Sequence, residues 1–482
     1  MVSGFTYLCL TCLLTSTAAA QTINTSTKIK KEVDDYLSKA IVQYNIPGIA
    51  LAVIKDGNII YESYRGKASL ENDTPVSKET LFRVFSTTKL ITTVALFQLV
   101  QADRLSLEDP ISLYLNGLPN QWQNVRIKHL LAHSSGLPDF IRQPSSLSDK
   151  ELMSRLSQEK MDFVPGKQFR YNQTNYWLIA QIIEEITGGS FQDYVFQHQF
   201  NDQKNGVLFS SNASDSIPNR ATRYFYNGRN KAFEKDNNNN GKRGHPGNGL
   251  NITLKRFIEW NRLLDKGELL NYTVRASMWA PFDFANKEDQ FLHGWGLYKV
   301  NGHDSYGFSG GNLSGFRKFV DQHTTIIFLS NGYQLPAYDI IINDIARLVI
   351  PEISARKVIL ESEILSNVQK GQFEKALTVY SKAKKENPES SFDNVKFNIN
   401  DIGNHHLYVE EDIKKAFQVF QFNVEANRGW WISAASLAEM YELQQDTAMA
   451  ISTYEKAISL NDKNQWDYNE QMKQAIKKLT SN

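Results

Sequence analysis

Cysteine is nearly absent from this chain of 482 residues: there are two, Cys9 and Cys12, both close to its start. The long remainder can build no disulfide framework and no thiolate metal site, and it cannot use a thiol nucleophile. An excess of charge is also lacking, since 53 basic residues face 52 acidic ones for a net charge of +1. No surplus of either sign marks the chain for nucleic acid or an anionic membrane surface, and no nucleic-acid partner is expected. Histidine is sparse: of the 9, only His405 and His406 are adjacent. With no metal-ligand spacing and no glycine-rich phosphate loop, neither a metal nor a cofactor is expected.

Long apolar runs are missing after the first segment. Residues 1–20 hold no charge, are apolar from Phe5 to Leu14 and end in Ala18-Ala19-Ala20 before Gln21. This is the pattern of a secretory signal peptide cleaved after Ala20, although the usual basic residue before the apolar core is lacking. Lipid anchoring at Cys12 is disfavoured, because Cys9-Leu10-Thr11 matches the small-residue lipobox poorly. No later stretch approaches the roughly 20 apolar residues that span a bilayer, so the mature chain is expected to have no transmembrane segment and to be periplasmic or secreted.

What is present begins with a helix over 33–44, ended by Ile46-Pro47-Gly48. Two β-rich runs, 49–54 and 59–64, follow around Asp56-Gly57, a strong hairpin signal. A strongly amphipathic helix at 177–186 is closed by Gly188-Gly189, and another helix spans 253–264. Strand patterns return at 295–300, 316–320 and 325–329. Strands at both ends with helices between them predict an α+β fold, one antiparallel sheet assembled from the two ends and flanked by helices. Residues 235–249 read as a low-complexity loop. Asp236, Asn238, Asn240 and Gly241 imitate the start of a calcium loop, but Gly247 stands where a bidentate glutamate is required.

The chemistry concentrates at Ser86-Thr87-Thr88-Lys89. Ser86 ends an extended segment, and Leu90, Val94 and Phe97 continue at helical period. Its hydroxyl therefore falls at a helix N-terminus with Lys89 on the same face. A serine needs a base to become nucleophilic, and a lysine serves only where burial keeps it neutral. Ser-x-x-Lys also begins at Ser157, Ser354 and Ser381, but only Ser86 has apolar residues on both sides. Spacing alone leaves a plain N-capping serine open. His133, within Leu130-Leu131-Ala132-His133-Ser134-Ser135-Gly136-Leu137-Pro138, reads equally as a proton carrier or a structural histidine beside a turn.

After Pro351 the composition changes. From about Ala355 the chain is helical, and Ala376, Ala416 and Ala450 are each followed four residues later by an aromatic, Tyr380, Phe420 and Tyr454. Residues 355–482 resemble three degenerate tetratricopeptide repeats, an all-α array and a possible protein-binding surface; a plain helical appendage is the alternative.

Ser86-Thr87-Thr88-Lys89, the His133 segment, Pro165-Gly166 leading to Tyr171, Gly294-Trp295-Gly296 and Ser309-Gly310-Gly311 with Gly315-Phe316 occur in one order. That order resembles the serine hydrolases related to class C β-lactamases, which include D-alanyl-D-alanine peptidases, D-aminopeptidases and esterases. The resemblance covers about residues 30–335 and implies a serine β-lactamase-like domain over 21–354, with a helical subdomain beside the sheet. It makes Ser86 the acylated nucleophile, Lys89 its proton acceptor and Tyr171 the relay toward the leaving group. The backbone N–H groups of Ser86 and Gly311 form the implied oxyanion hole, and Gln173, Phe308, Ser309 and Gly310 line the implied substrate site.

Two positions depart from the family pattern. The second motif, usually Tyr-Ser-Asn or Tyr-Ala-Asn, is Tyr171-Asn172-Gln173; Gln173 keeps an amide that can reach substrate and Lys89, one methylene further out. The third, usually opened by His or Lys, is Phe308-Ser309-Gly310, and Phe308 offers neither hydrogen bond nor charge. A substrate carboxylate opposite Phe308 would be buried without a partner unless Arg317 or Lys318 supplied a cation. The expectation is thus an exported serine hydrolase acting through an acyl-enzyme on an ester or on a peptide- or lactam-like amide. The alternative is a catalytically degenerate member that binds a protein through 355–482.

Overall fold

The computed structural model describes residues 27–481 apart from 288–289, 336, 355–359, 389, 391, 463 and 466–467. The expected signal segment lies outside the described residues, as does the start of the expected helical array.

The first helix, α1, spans 27–44 and so begins before its apolar pattern does. The hairpin follows as β1 (Gly48–Lys55) and β2 (Asn58–Ser69), turning at Asp56-Gly57 with both residues at positive φ. The sheet is completed from the far end of the domain by β3 (Gly296–Val300), β4 (His303–Gly310), β5 (Ser314–Phe319) and β6 (Thr324–Ser330). Its order is Thr74–Pro75, β2, β1, β6, β5, β4, β3, and every pairing is antiparallel. In β1 the residues Ala50, Ala52 and Ile54 face one core while Ile49, Leu51 and Val53 face another. Both faces of the centre of the sheet are covered, which is why β1 and β6 read as continuous apolar runs rather than alternating ones.

On the first face lies α2 (Thr88–Gln101), with Leu90, Ile91, Val94, Phe97 and Leu99 all buried. A helix apolar nearly all round belongs inside a domain, and here α3 (Thr174–Thr187) and α4 (Leu254–Asp265) enclose it. Gly188 ends α3 in the left-handed conformation, and Thr253 caps α4 through the N–H of Arg256.

On the second face, α1 and α5 (Tyr338–Val349) pack against the sheet. Ile364, Leu365 and Val368 of the helix Glu361–Gln369 belong to the same apolar cluster as Ile340, Ile341 and Ile345 of α5. The helices after Pro351 are therefore joined to the first domain by a shared core. At that joint the carboxylate of Asp344 accepts the N–H groups of Glu361 and Ser362 at 2.7 and 3.0 Å, while Arg347 pairs with Glu361 at 2.7 Å. Further helices follow at Phe373–Glu386, Asp393–Asn404, Ile413–Ala426, Trp431–Leu443, Thr447–Leu460 and Tyr468–Ser481. Ala376, Ala416 and Ala450 and the aromatics four residues after each are buried, so the alanine-to-aromatic spacing marks the packed face of three of these helices.

Candidate active site

The segment that carries Ser86 is tied down from two sides. Strand Phe82–Arg83 pairs with Leu250–Ile252, which in turn pairs with Val207–Phe209 in a small separate sheet. On the other side the end of β4 presses against the turn Phe85–Thr87: a Cβ on Gly310 would fall 2.1 Å from the Val84 carbonyl and 2.8 Å from the Ser86 nitrogen. Only glycine permits that approach. Ser86 therefore sits in a 3-10 turn leading straight into α2, rather than at the cap of the α-helix itself. Phe85 has φ of +46°, sparsely populated for an aromatic residue, and Gly311, at φ of +58°, lies against its ring. The Ser86 and Gly311 backbones are thus neighbours at one end of α2.

Tyr171 donates a hydrogen bond of 2.8 Å to Ser86 Oγ. Lys89 is fully buried beneath it, and its Nζ donates to Gln173 Oε1 at 3.1 Å and to the Gly247 carbonyl at 2.9 Å. The rings of Tyr171, Tyr176 and Phe308 surround that nitrogen at 4.8, 5.0 and 6.0 Å from their centroids. Burial pulls the Lys89 ammonium down from 10.5 to about 7, opposed only in part by the Asp139 carboxylate. Burial pushes the Tyr171 phenol upward, with its hydrogen bond to Ser86 working against the shift. Of the two, the lysine is the one that titrates near neutrality. A neutral amine has two hydrogens, and the two acceptor oxygens occupy them, leaving its lone pair free to take a proton.

The structure brings Ser86, Lys89, Tyr171, Gln173, Phe308, Gly310 and Gly311 together. Ser309 differs: its hydroxyl donates to Asp339 Oδ1 at 2.9 Å and accepts from Arg317 at 2.6 Å, so its hydrogen-bonding capacity is engaged toward α5. Neither cation considered as a substitute at Phe308 is free. Arg317 is buried and paired with Asp339, and Lys318 pairs with Asp265 at 2.6 Å. His133 is buried behind Tyr171, with ring centroids 4.4 Å apart, and its Nδ1 accepts the Asn172 N–H at 3.1 Å. Burial holds it well below its ordinary pKa, so it is a neutral packing and positioning group.

Three contributors escaped the reading of the sequence. The Gly247 carbonyl comes from the stretch taken as a low-complexity loop, which forms a short helix, His245–Asn248, held to α2 by Thr92 Oγ1 bonding the Pro246 carbonyl at 2.6 Å. Tyr176 stands just before the amphipathic run 177–186, and the sequence gives it no role. Asp139 accepts the Gln173 N–H at 3.2 Å, and its charge favours the Lys89 ammonium. Asp236, of the calcium-like pattern, pairs with Arg223 at 2.8 Å, and the described residues hold no cluster of metal-binding side chains.

Comparison with known proteins agrees with this architecture. Penicillin-binding protein 4* of Bacillus subtilis (strain 168) is 25% identical over 321 residues, 62% of this chain and 70% of that protein. Protein flp of Staphylococcus aureus (strain MW2) is 26% identical over 181 residues, and the match spans only 36% of its length. Among solved structures, the octameric penicillin-binding protein homologue from Pyrococcus abyssi superposes with a TM-score of 0.60 at 21% identity, over 70% of this chain and 81% of that one. A D-amino acid amidase from Ochrobactrum anthropi SV3 gives 0.57 at 19% identity, over 67% of this chain and 98% of its own. The family model described as Beta-lactamase matches residues 28–349, two thirds of the chain, and the chain belongs to that family.

Proposed function

We propose that this protein is a serine hydrolase that works through an acyl-enzyme on neutral esters or amides, with Ser86 as nucleophile, Lys89 as base and Tyr171 as relay. The observation that carries the reading is the buried Lys89, held near neutrality beneath a tyrosine that is bonded to Ser86.

In this mechanism the Ser86 oxygen attacks the substrate carbonyl while its proton passes to the neutral Lys89 amine. The oxyanion that forms is met by the N–H groups of Ser86 and Gly311, worth roughly 3 to 4 kcal/mol per donor in comparable sites. As the intermediate collapses, the carbonyl-to-heteroatom bond breaks. Tyr171 protonates the leaving alcohol or amine and recovers a proton from the Lys89 ammonium. Water then attacks the acyl-serine by the same route in reverse, releasing the acid and restoring both groups. Gln173 and Gly247 orient the amine.

The pairing of Arg317 and Lys318 with other carboxylates argues for substrates without a carboxylate at Phe308, because none of these side chains offers that anion a partner. Export rests on the pattern of residues 1–20, and a protein partner for the tetratricopeptide-like helices rests on their repeat pattern. The test is the initial rate of p-nitrophenyl butyrate hydrolysis beside Ser86→Ala. A loss of at least about a thousandfold supports the nucleophile assignment. Equal inertness of both proteins, toward this ester and a chromogenic cephalosporin alike, would overturn the enzyme reading in favour of a binding role for the helices.

A further inference from the structure

A cavity of about 390 Å3 lies where the helical region meets the first domain. One wall is the segment just past the oxyanion residue, Asn312 and Leu313, with Tyr333 beyond it. A second is Tyr224, Phe225 and Tyr226, from the strand Tyr224–Asn227 that forms a hairpin with Ala232–Lys235. The third comes from the helical region: Asp401, His405 and Tyr408, where helix Asp393–Asn404 widens into a π-helical turn over His405–Val409. Such turns interrupt regular helix hydrogen bonding and recur at functional sites. The walls are fitted to each other. A Cβ on Gly228 would fall 2.1 Å from the Val409 carbonyl, and Arg229 at the hairpin tip bonds Glu411 at 2.8 Å.

The charges around the cavity do not balance. Arg223 is already engaged, by Asp236 at 2.8 Å and by the face of Phe85 at 5.0 Å. Burial keeps His405 below its ordinary pKa and hence neutral. That leaves Asp401, whose carboxyl is pushed up to about 6 by burial, with no compensating hydrogen bond or ion pair among the described residues, yet which is still mostly ionised at neutral pH. Burial raises the Tyr333 phenol; its hydrogen bond with Asn312 and the Arg223 guanidinium oppose that shift, and the Asp401 carboxylate adds to it. Asp401 shares the lining of this cavity with Tyr224, Tyr226, Tyr333 and Tyr408, and a carboxylate in a tyrosine-lined cavity has the chemistry of an organic-cation site. The volume suits a small ligand.

We infer that this cavity binds the ammonium group of a small aliphatic amine, with Asp401 as its counter-ion and the tyrosines as its walls. The amine is either the far end of the substrate or a free effector. The first case deepens the hydrolase reading and rests on it. The site is well placed for both: Asn312 follows Gly311 directly, and Arg223 stacks on Phe85, which precedes Ser86.

The experiment uses the full chain. Calorimetric titration of the Ser86→Ala protein with n-butylammonium chloride is repeated after adding Asp401→Asn, an isosteric change that removes an unpaired charge and should leave the melting temperature equal or higher. Binding by the parent that weakens at least tenfold in Asp401→Asn supports the inference; no heat of binding, or equal affinity in both, overturns it. This readout needs no turnover, so it survives failure of the hydrolase reading. The source is then decided with p-nitrophenyl 6-aminohexanoate against p-nitrophenyl hexanoate. A kcat/KM ratio that favours the amine and falls at least tenfold in Asp401→Asn assigns the ammonium to the substrate. Calorimetric binding without such a preference assigns it to a free effector.

Discussion

If Lys89 is the base, one depressed pKa must govern both the rate and part of the stability. In the folded chain the ammonium titrates at about 7, against 10.5 for an unperturbed lysine. The unfolded chain therefore binds the extra proton between those two values, and in that window stability rises with pH. Below about 7 both states are charged and the contribution is flat. From pH 7 to pH 9 the increment amounts to about 2 kcal/mol, taking 1.36 kcal/mol per pH unit and half-titration at the start. Lys89→Met removes the titration and keeps the volume. The difference in unfolding free energy between parent and Lys89→Met, measured by urea denaturation, should grow by about 2 kcal/mol from pH 7 to pH 9.

The rate should follow the same group. The neutral fraction of a lysine at about 7 is about one half at pH 7 and about one tenth at pH 6, so kcat/KM for p-nitrophenyl butyrate should fall about fivefold over that unit and tenfold over the next. A stability difference that stays flat between pH 7 and 9, together with a kcat/KM that stays flat between pH 6 and 8, would refute the assignment of Lys89 as a neutral base.

Asp139→Asn removes the charge that favours the Lys89 ammonium, so the acidic limb of the kcat/KM profile should move to lower pH. Tyr171→Phe deletes the hydroxyl 2.8 Å from Ser86 Oγ and should lower kcat by roughly 100- to 10,000-fold, as loss of a positioned proton carrier does, with KM changing far less. In Gly247→Ala the new methyl would lie 2.9 Å from Gln173 Oε1 and 3.2 Å from Lys89 Nζ; turnover should drop at least about tenfold with the melting temperature shifted by only a few degrees. Phe308→Lys places a second cation where a ring now stands 6.0 Å from Lys89 Nζ, so the acidic limb should again move to lower pH, and anionic amides should gain relative to neutral esters. Deleting residues 361–482 uncovers the face of α5 that Ile364, Leu365 and Val368 bury, at roughly 1.5 to 3 kcal/mol per side chain, so thermal melting should show a markedly less stable domain.

The legible parts of the sequence are those in which neighbouring residues decide the outcome. Asp56-Gly57 fixes a hairpin locally, and Gly188 stops α3 because it tolerates a left-handed backbone. β4 was not legible: His303-Asp304-Ser305-Tyr306-Gly307-Phe308-Ser309-Gly310 has poor strand propensity, and it is extended because β3 and β5 pair with it on either side. The same cause hid half of the Lys89 environment. The Gly247 carbonyl reaches the amine because Leu250–Ile252 pairs with Phe82–Arg83, and no periodicity connects residues 247 and 89. Asp401 is a further step removed, since its carboxylate is isolated by a fold formed between two regions that the sequence presents as separate patterns. Motifs therefore locate the chemical groups, but what surrounds them here is unlike chain: the carbonyl of Gly247, from an asparagine-rich stretch, meets the lysine, and helix Asp393–Asn404 closes a cavity beside Asn312. It follows that two chains sharing every motif of this family can still differ in substrate through the segments that no motif describes.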